Sequence, residues 1–220
     1  MFKIGRIVDL SLSLTDKTPV YPGDPIPKIT VATTIDKEGY NLFNVLLGSQ
    51  TGSHVDAPYH FRNDGITIDK IDLKACMGKA IIIDVSRKKA MEAIEVSDLT
   101  PHAEFIKEAE IVLFRTDWYK KAGTEEFYEH PYLSEGGGRF LLTMGIKTVG
   151  VDAINLDMTG GTYFPIHDMY AQAEGLIAEN LANFDKVDFI NPFVIVLPLK
   201  LVGCDGSPVR AVAVEFLLEA

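Results

Sequence analysis

Three short, almost uninterrupted apolar runs limit the fold of this chain more than any other feature. They are Lys79-Ala-Ile-Ile-Ile-Asp-Val85, Ile111 to Arg115, and Lys147-Thr-Val-Gly-Val-Asp-Ala153. A strand covered on both faces reads this way, because neither face needs polar residues. Helical stretches separate the runs. Asp98 to Lys107 opens with a polar cap and a proline, Thr124 to Tyr128 is a weaker helix, and Ser134 caps a helix reaching about Met144. Gly136, Gly137 and Gly138 lower the helix propensity there and are read as a loose first turn rather than as close packing or a ligand approach. Strand-helix-strand alternation predicts an α/β fold with a partly parallel, mixed sheet and flanking helices.

The remaining segments frame that core. Ile4 to Leu14 begins with a strand, and the four prolines of Thr18 to Pro27 force an extended, turn-rich loop. Lys28 to Thr34 and Leu42 to Gly48 form an antiparallel ribbon, and Gly65 to Asp72 is a loop or short strand. Phe164 to Glu174 is a helix with Gly175 as its C-cap, followed by the short apolar stretch Leu176 to Leu181. Phe193 to Leu199 and Val209 to Leu218 are closing strands, with turn chemistry at Gly203 to Pro208. With 220 residues and no linker or repeat, residues 1–220 are expected to form one domain.

Composition excludes several partners. A net charge of −10 without a basic stripe argues against nucleic acid. No apolar run approaches the ~20 residues of a membrane span, and the N-terminus lacks a signal-peptide core. Cys76 and Cys204 show no paired spacing, as expected of thiols in a reducing compartment, so a cytoplasmic protein is expected.

The chemistry concentrates in Ser49 to Phe61. At strand period, Gln50, Gly52, His54, Asp56, Pro58 and His60 share one face. His54 and Asp56, about 7 Å apart along a strand, are able to converge on one ion. His60 would lie about 20 Å from His54 in a straight strand. Pro58 predicts a bend that returns it. A lone histidine is better read as a hydrogen-bonding core residue. His-x-Asp-x-Pro-x-His on one face favours a metal.

The residues now resemble a known family. Gln50-Thr-Gly-Ser-His-Val-Asp-Ala-Pro-Tyr-His60 is similar to the fingerprint His-x-Gly-Thr-His-x-Asp-x-Pro-x-His of the cyclase-like metal hydrolases, which include bacterial kynurenine formamidases and isatin hydrolases. Asp9-Leu-Ser11, Tyr21 to Pro25, Thr116-Asp-Trp118, Gly150-Val-Asp152, His167 with Glu179-Asn-Leu181, and Ser207 to Arg210 extend the resemblance over most of the chain. It implies a cyclase-like fold of the swivelling β/β/α type. It implies one or two divalent ions, Zn²⁺ or Mn²⁺, with His54 and Asp56 on the first. His60, His167, Glu179 and a bridging Asp56 fall on the second. Two positions depart from the fingerprint: Ser53 keeps the hydroxyl of threonine, whereas Gln50 replaces an imidazole and is either a weak ligand or a hydrogen-bonding group.

The activity so implied is hydrolysis of a small amide of the N-formylkynurenine type, in tryptophan catabolism. His60 or Glu179 would take the proton from a metal-activated water. Opening of a cyclic amide of the isatin type is the neighbouring reading, and a non-catalytic metal- or ligand-binding protein is the reading from another class. Tyr21, Phe61 and Trp118 are candidates for an aromatic substrate pocket. Arg210 is the alternative partner for Glu179, and His102 and His130 are expected at the surface. The resemblance also implies a homodimer or larger assembly.

Overall fold

A computed structural model describes residues 2–218. In chain order its strands are β1 (Phe2–Asp9), β2 (Lys28–Thr33), β3 (Leu42–Leu46), β4 (His54–Asp56), β5 (Met77–Asp84), β6 (Ala93–Ile94) and β7 (Ile111–Arg115). There follow β8 (Tyr132–Leu133), β9 (Thr148–Val151), β10 (Leu176–Glu179), β11 (Phe193–Ile195), β12 (Gly206–Pro208) and β13 (Val212–Leu218). Nine of them form one sheet in the order β1-β13-β11-β5-β7-β9-β10-β4-β12, and β2-β3 and β6-β8 form two separate pairs.

The three apolar runs become β5, β7 and β9, adjacent and parallel at the centre of the sheet, with β10 parallel beside β9. Antiparallel wings complete a mixed α/β architecture. Successive residues of β7 divide between two cores: Val112 and Phe114 join Ile83, Val149 and Leu141 on one face, and Ile111 and Leu113 join Ala80, Val55 and Leu10 on the other. This two-sided burial is why the runs carry no polar alternation.

Three local expectations need correction. In the helix Glu135–Thr143, Ser134 Oγ does accept from Gly137 N–H at 3.1 Å, as a cap should. Two of its three glycines, Gly137 and Gly138, are however packed rather than loose, while Gly136 is exposed. A Cβ on Gly137 would lie 2.7 Å from Leu133 Cδ1, and one on Gly138 would lie 2.8 Å from Ile166 Cδ1. Second, part of the stretch read as a turn, Gly206–Pro208, is the edge strand β12 against β4. Third, His130 is fully buried, its Nδ1 donating to Pro131 O and its Nε2 within 2.8 Å of Thr159 Oγ1. Among the described residues no helix is long and apolar enough to cross a membrane.

Candidate metal centre

The strand carrying His54 and Asp56 is only three residues long, yet β10 pairs with one edge and β12 with the other. Val55 and its partner Ala178 turn into the core, so the alternate residues His54, Asp56 and Glu179 face the opposite side. Glu179 stands directly across from His54 in the β4-β10 register. The chain then bends at Ala57, and Pro58–His60 forms a single 3₁₀ turn that swings His60 back toward the strand it has just left. His167 arrives from the helix Pro165–Gln172.

Four side chains close a ring. His54 Nε2 lies 3.6 Å from Asp56 Oδ1 and 3.5 Å from Glu179 Oε2, while His167 Nε2 lies 3.4 Å from both Asp56 Oδ2 and Glu179 Oε1. Each residue is about 96–97 % buried. Both oxygens of Asp56 are buried with no hydrogen-bond partner. A buried carboxylate left so is costly unless a cation meets it. Two ligands held at about 2.1 Å by a tetrahedral ion stand roughly 3.4 Å apart, so the spacing suits one. Ligand atoms of His54, Asp56 and Glu179 lie within 4.8 Å of one another, as do those of Asp56, His60 and His167. Asp56 belongs to both groups, and Glu179 borders both through its two oxygens.

The imidazoles are oriented from behind. His54 Nδ1 donates to Gly52 O at 2.7 Å, His167 Nδ1 to Asp157 Oδ2 at 2.7 Å, and His60 Nδ1 to Asp205 Oδ2 at 2.8 Å. With Nδ1 occupied, each ring keeps Nε2 for a ligand, the usual outer arrangement of metal-binding histidines. Without an ion the cluster draws protons. Burial opposes a charged His54, but Glu179 and Asp56 outweigh it and push the ring up to about 9. His167 is likewise raised: burial opposes its charge, and Glu179, Asp157 and Asp56 prevail. Burial alone would raise Glu179, yet His167 and His54 hold it well below the usual carboxylate range. The residues fit a divalent cation.

Above the ring opens a cavity of about 260 Å³. Tyr21, Phe61 and Phe164 wall it: Phe61 packs on His167 with ring centroids 4.7 Å apart, and Phe164 lies 5.5 Å from Phe61. Tyr21 Oη accepts from Gly160 N–H at 2.9 Å, which ties its loop to the opposite rim. Trp118 does not line this cavity. It is core, its Nε1 donating to Glu126 O and its ring covered by the Lys121 ammonium at 3.5 Å.

Gln50 lines the cavity, its Nε2 donating to Asp205 Oδ2 at 2.9 Å and standing 3.4 Å from His60 Nδ1, while its Oε1 is buried with no hydrogen-bond partner. Arg210 pairs with Asp9 and is not the partner of Glu179, which instead accepts from Leu156 N–H at 2.7 Å. Sequence reasoning missed Asp157, Asp205 and Phe164. Asp157 and Phe164 fall on a loop entering the His167 helix, where an acidic residue before a proline-started helix was the available signal.

Known proteins resemble this chain over nearly its whole length. The Cyclase family is matched over residues 8–158. A kynurenine formamidase from Bacillus cereus is 34 % identical over 96 % of this chain and 98 % of its own. An isatin hydrolase bound to the product analogue thioisatinate superposes with a TM-score of 0.86 at 25 % identity, covering 95 % of this chain and 92 % of that one. A predicted metal-dependent hydrolase from Bacillus stearothermophilus gives 0.78 at 27 % identity, covering 97 % and 98 %.

Proposed function

Because the chain belongs to the Cyclase family, we propose that it is a metal-dependent hydrolase of non-peptide C–N bonds that cleaves a small aryl formamide of the N-formylkynurenine type. The observation that carries this reading is the closed ring of His54, Asp56, His167 and Glu179, with Asp56 otherwise unpartnered, at the floor of an aromatic-walled cavity. His54, Asp56 and Glu179, whose ligand atoms approach one another, would hold Zn²⁺ or Mn²⁺, with His167 facing the second oxygens of the same carboxylates; mixed imidazole and carboxylate donors suit either metal. The ion, when bound, supplies Lewis acidity that makes water nucleophilic at neutral pH and polarises a carbonyl.

The chain's own residues do the rest. His60 is about 28 % exposed at its side chain, against 4 % for His54 and His167, so it is the imidazole that substrate reaches. With Nδ1 committed to Asp205, it takes a proton at Nε2 and returns it to the departing amine. Glu179, ionised and bonded to Leu156 N–H, acts as a ligand rather than as the base. Phe61, Phe164 and Tyr21 orient an aryl ring and keep water from its faces. A second ion among Asp56, His60 and His167 is the alternative supported by their mutual approach, and there His60 would be a ligand.

A flat cyclic amide of the isatin type suits the same aromatic walls, and the backbone likeness to an isatin hydrolase supports that second reading. Metal content by mass spectrometry on protein purified without chelator, with turnover of N-formylkynurenine, isatin and simple aryl formamides, tests both. Formamide turnover by a metal-replete enzyme is expected. Isatin turnover alone favours the second, and tight metal with no turnover of any compound overturns both. Residues 1–220 are read as one domain, since strands from both ends of the chain pair in one sheet. A homo-oligomer is proposed as well, supported by the apolar, exposed residues Val31, Leu42, Phe43, Val45 and Leu46 of the β2-β3 ribbon.

A further inference from the structure

His60 reaches the metal centre only because the chain reverses within four residues of Asp56, and a short turn with one proline does not by itself fix where an imidazole points. The residue that meets this turn comes from 145 positions later. Asp205 grips it twice: its main-chain carbonyl accepts from Ala57 N–H at 2.8 Å, and its side-chain Oδ2 accepts from His60 Nδ1 at 2.8 Å. One residue therefore holds both the bend and the ring that the bend delivers.

Gln50 locks the same oxygen from the other side, donating from Nε2 at 2.9 Å. A carboxylate accepts there, so the amide nitrogen must be the atom facing Asp205. Gly206 makes room for this: a Cβ at that position would lie 2.6 Å from Gln50 Nε2. The strand β12 that begins at Gly206 pairs with β4 from Asp56 to His54, so Asp205 is registered to the very residues His60 must approach. The loop before it is fixed separately, Gly203 N–H donating to Asp69 Oδ1 at 2.9 Å.

We propose that Asp205 is a positioning residue for the reaction, holding His60 with Nε2 toward the cavity, and that Gln50 Nε2 serves as the strut of Asp205. The assignment rests on the hydrolase reading above for its link to catalysis, but not for its geometry. Outer carboxylate partners of this kind typically carry 10–100-fold effects when removed.

The test compares Asp205→Asn with Asp69→Asn, which loosens the same loop without touching His60, and with Gln50→Leu. The first readout is the His60 imidazole in ¹⁵N–¹H spectra, recorded with and without Zn²⁺ and with no substrate. The parent and Asp69→Asn should show a protected Nδ1 proton that Asp205→Asn loses and Gln50→Leu exposes to faster exchange. The second is kinetic, on whichever amide the protein turns over: kcat should fall 10–100-fold in Asp205→Asn with KM changed less than threefold, and the pH profile should move. Asp205→Glu, which restores a carboxylate, should recover part of the loss. The proposal is overturned if Asp205→Asn retains the protected proton, or if Asp69→Asn matches its kinetic loss. A protein that turns over none of the amides refutes the hydrolase reading, and the spectra still decide the geometry.

Discussion

The strand β4 and the ribbon β2-β3 that precedes it are neighbours in sequence and opposites in structure. All three residues of β4 are buried, Val55 completely, and a strand pairs with each edge. The strands of the ribbon are longer, six and five residues against three, and as rich in β-branched and aromatic side chains, but Val45 is 58 % exposed and no residue of β3 is buried. Strand propensity is thus shared, and the number of partners is what differs. A lone two-stranded ribbon gains little in water, whereas a short strand clamped between two others and filled on one face becomes rigid. Rigidity belongs where side chains must be held against their preference for water, as His54 and Asp56 are.

If β4 is the metal-holding wall, the largest effect should come from its own donors. His54→Ala should abolish measurable metal content and lower turnover by more than the 10–100-fold typical of losing an outer partner. Mass-spectrometric metal analysis with parallel kinetics checks this, and a metal-replete, fully active variant would break the assignment. Next comes Asp157→Asn, behind His167. Asp157 accepts from His167 Nδ1 and from the main-chain N–H groups of Ile166 and His167, so it sets both the ring and the helix that carries it. Metal affinity should fall about 10–100-fold by competition titration, with retained helical signal.

Much of this wall was legible in the residues, and the reasons are physical. Period-two alternation put His54 and Asp56 on one face, and the restricted backbone of Pro58 announced the bend that returns His60. Burial of β5, β7 and β9 on both faces left an unmistakable apolar signature. Other features were hidden. Asp205 lies 145 residues from His60, and a single aspartate among turn residues carries no period to reveal it. Gly206 and Pro208 are poor strand formers and read as a turn. They are tolerated because β12 is an edge strand and because Gly206 must pass close to Gln50. His130, alone in its segment, offered no cue that Thr159 and Pro131 would bury it.

Proton competition gives a third, smaller test of the wall. In the metal-free protein the folded-state value of His54, pushed up to about 9, exceeds the ordinary 6.5 of an unfolded chain. The folded state then binds more protons than the unfolded state between these values. Its extra stability is complete below about pH 6.5 and is lost as pH rises toward 9. The melting temperature of chelator-treated protein should therefore fall by several degrees over that window, while metal-saturated protein holds steady because binding displaces the proton. Calorimetry from pH 6 to 9.5 with and without chelator checks it. A flat or rising metal-free curve would show that the ring does not hold an excess proton.

The smallest effects bear on the contrast itself. Val55→Ala removes two methyl groups from a site with no exposed surface, between Ala178 and Ser207 in the paired register, and should cost about 2 kcal/mol in denaturant unfolding. Val45→Ala, on the exposed ribbon, should change the stability of an isolated chain by less than about 0.5 kcal/mol. Assembly would alter that second number, because a neighbouring copy seated on the ribbon converts an exposed valine into a buried one. Val45→Asp tests this directly by light scattering after gel filtration. A mass falling to that of one 24.3 kDa chain is the expected outcome. An unchanged oligomer would move the interface elsewhere, and a parent protein that already runs as a monomer would leave the ribbon an exposed arm with the low stability its two strands imply.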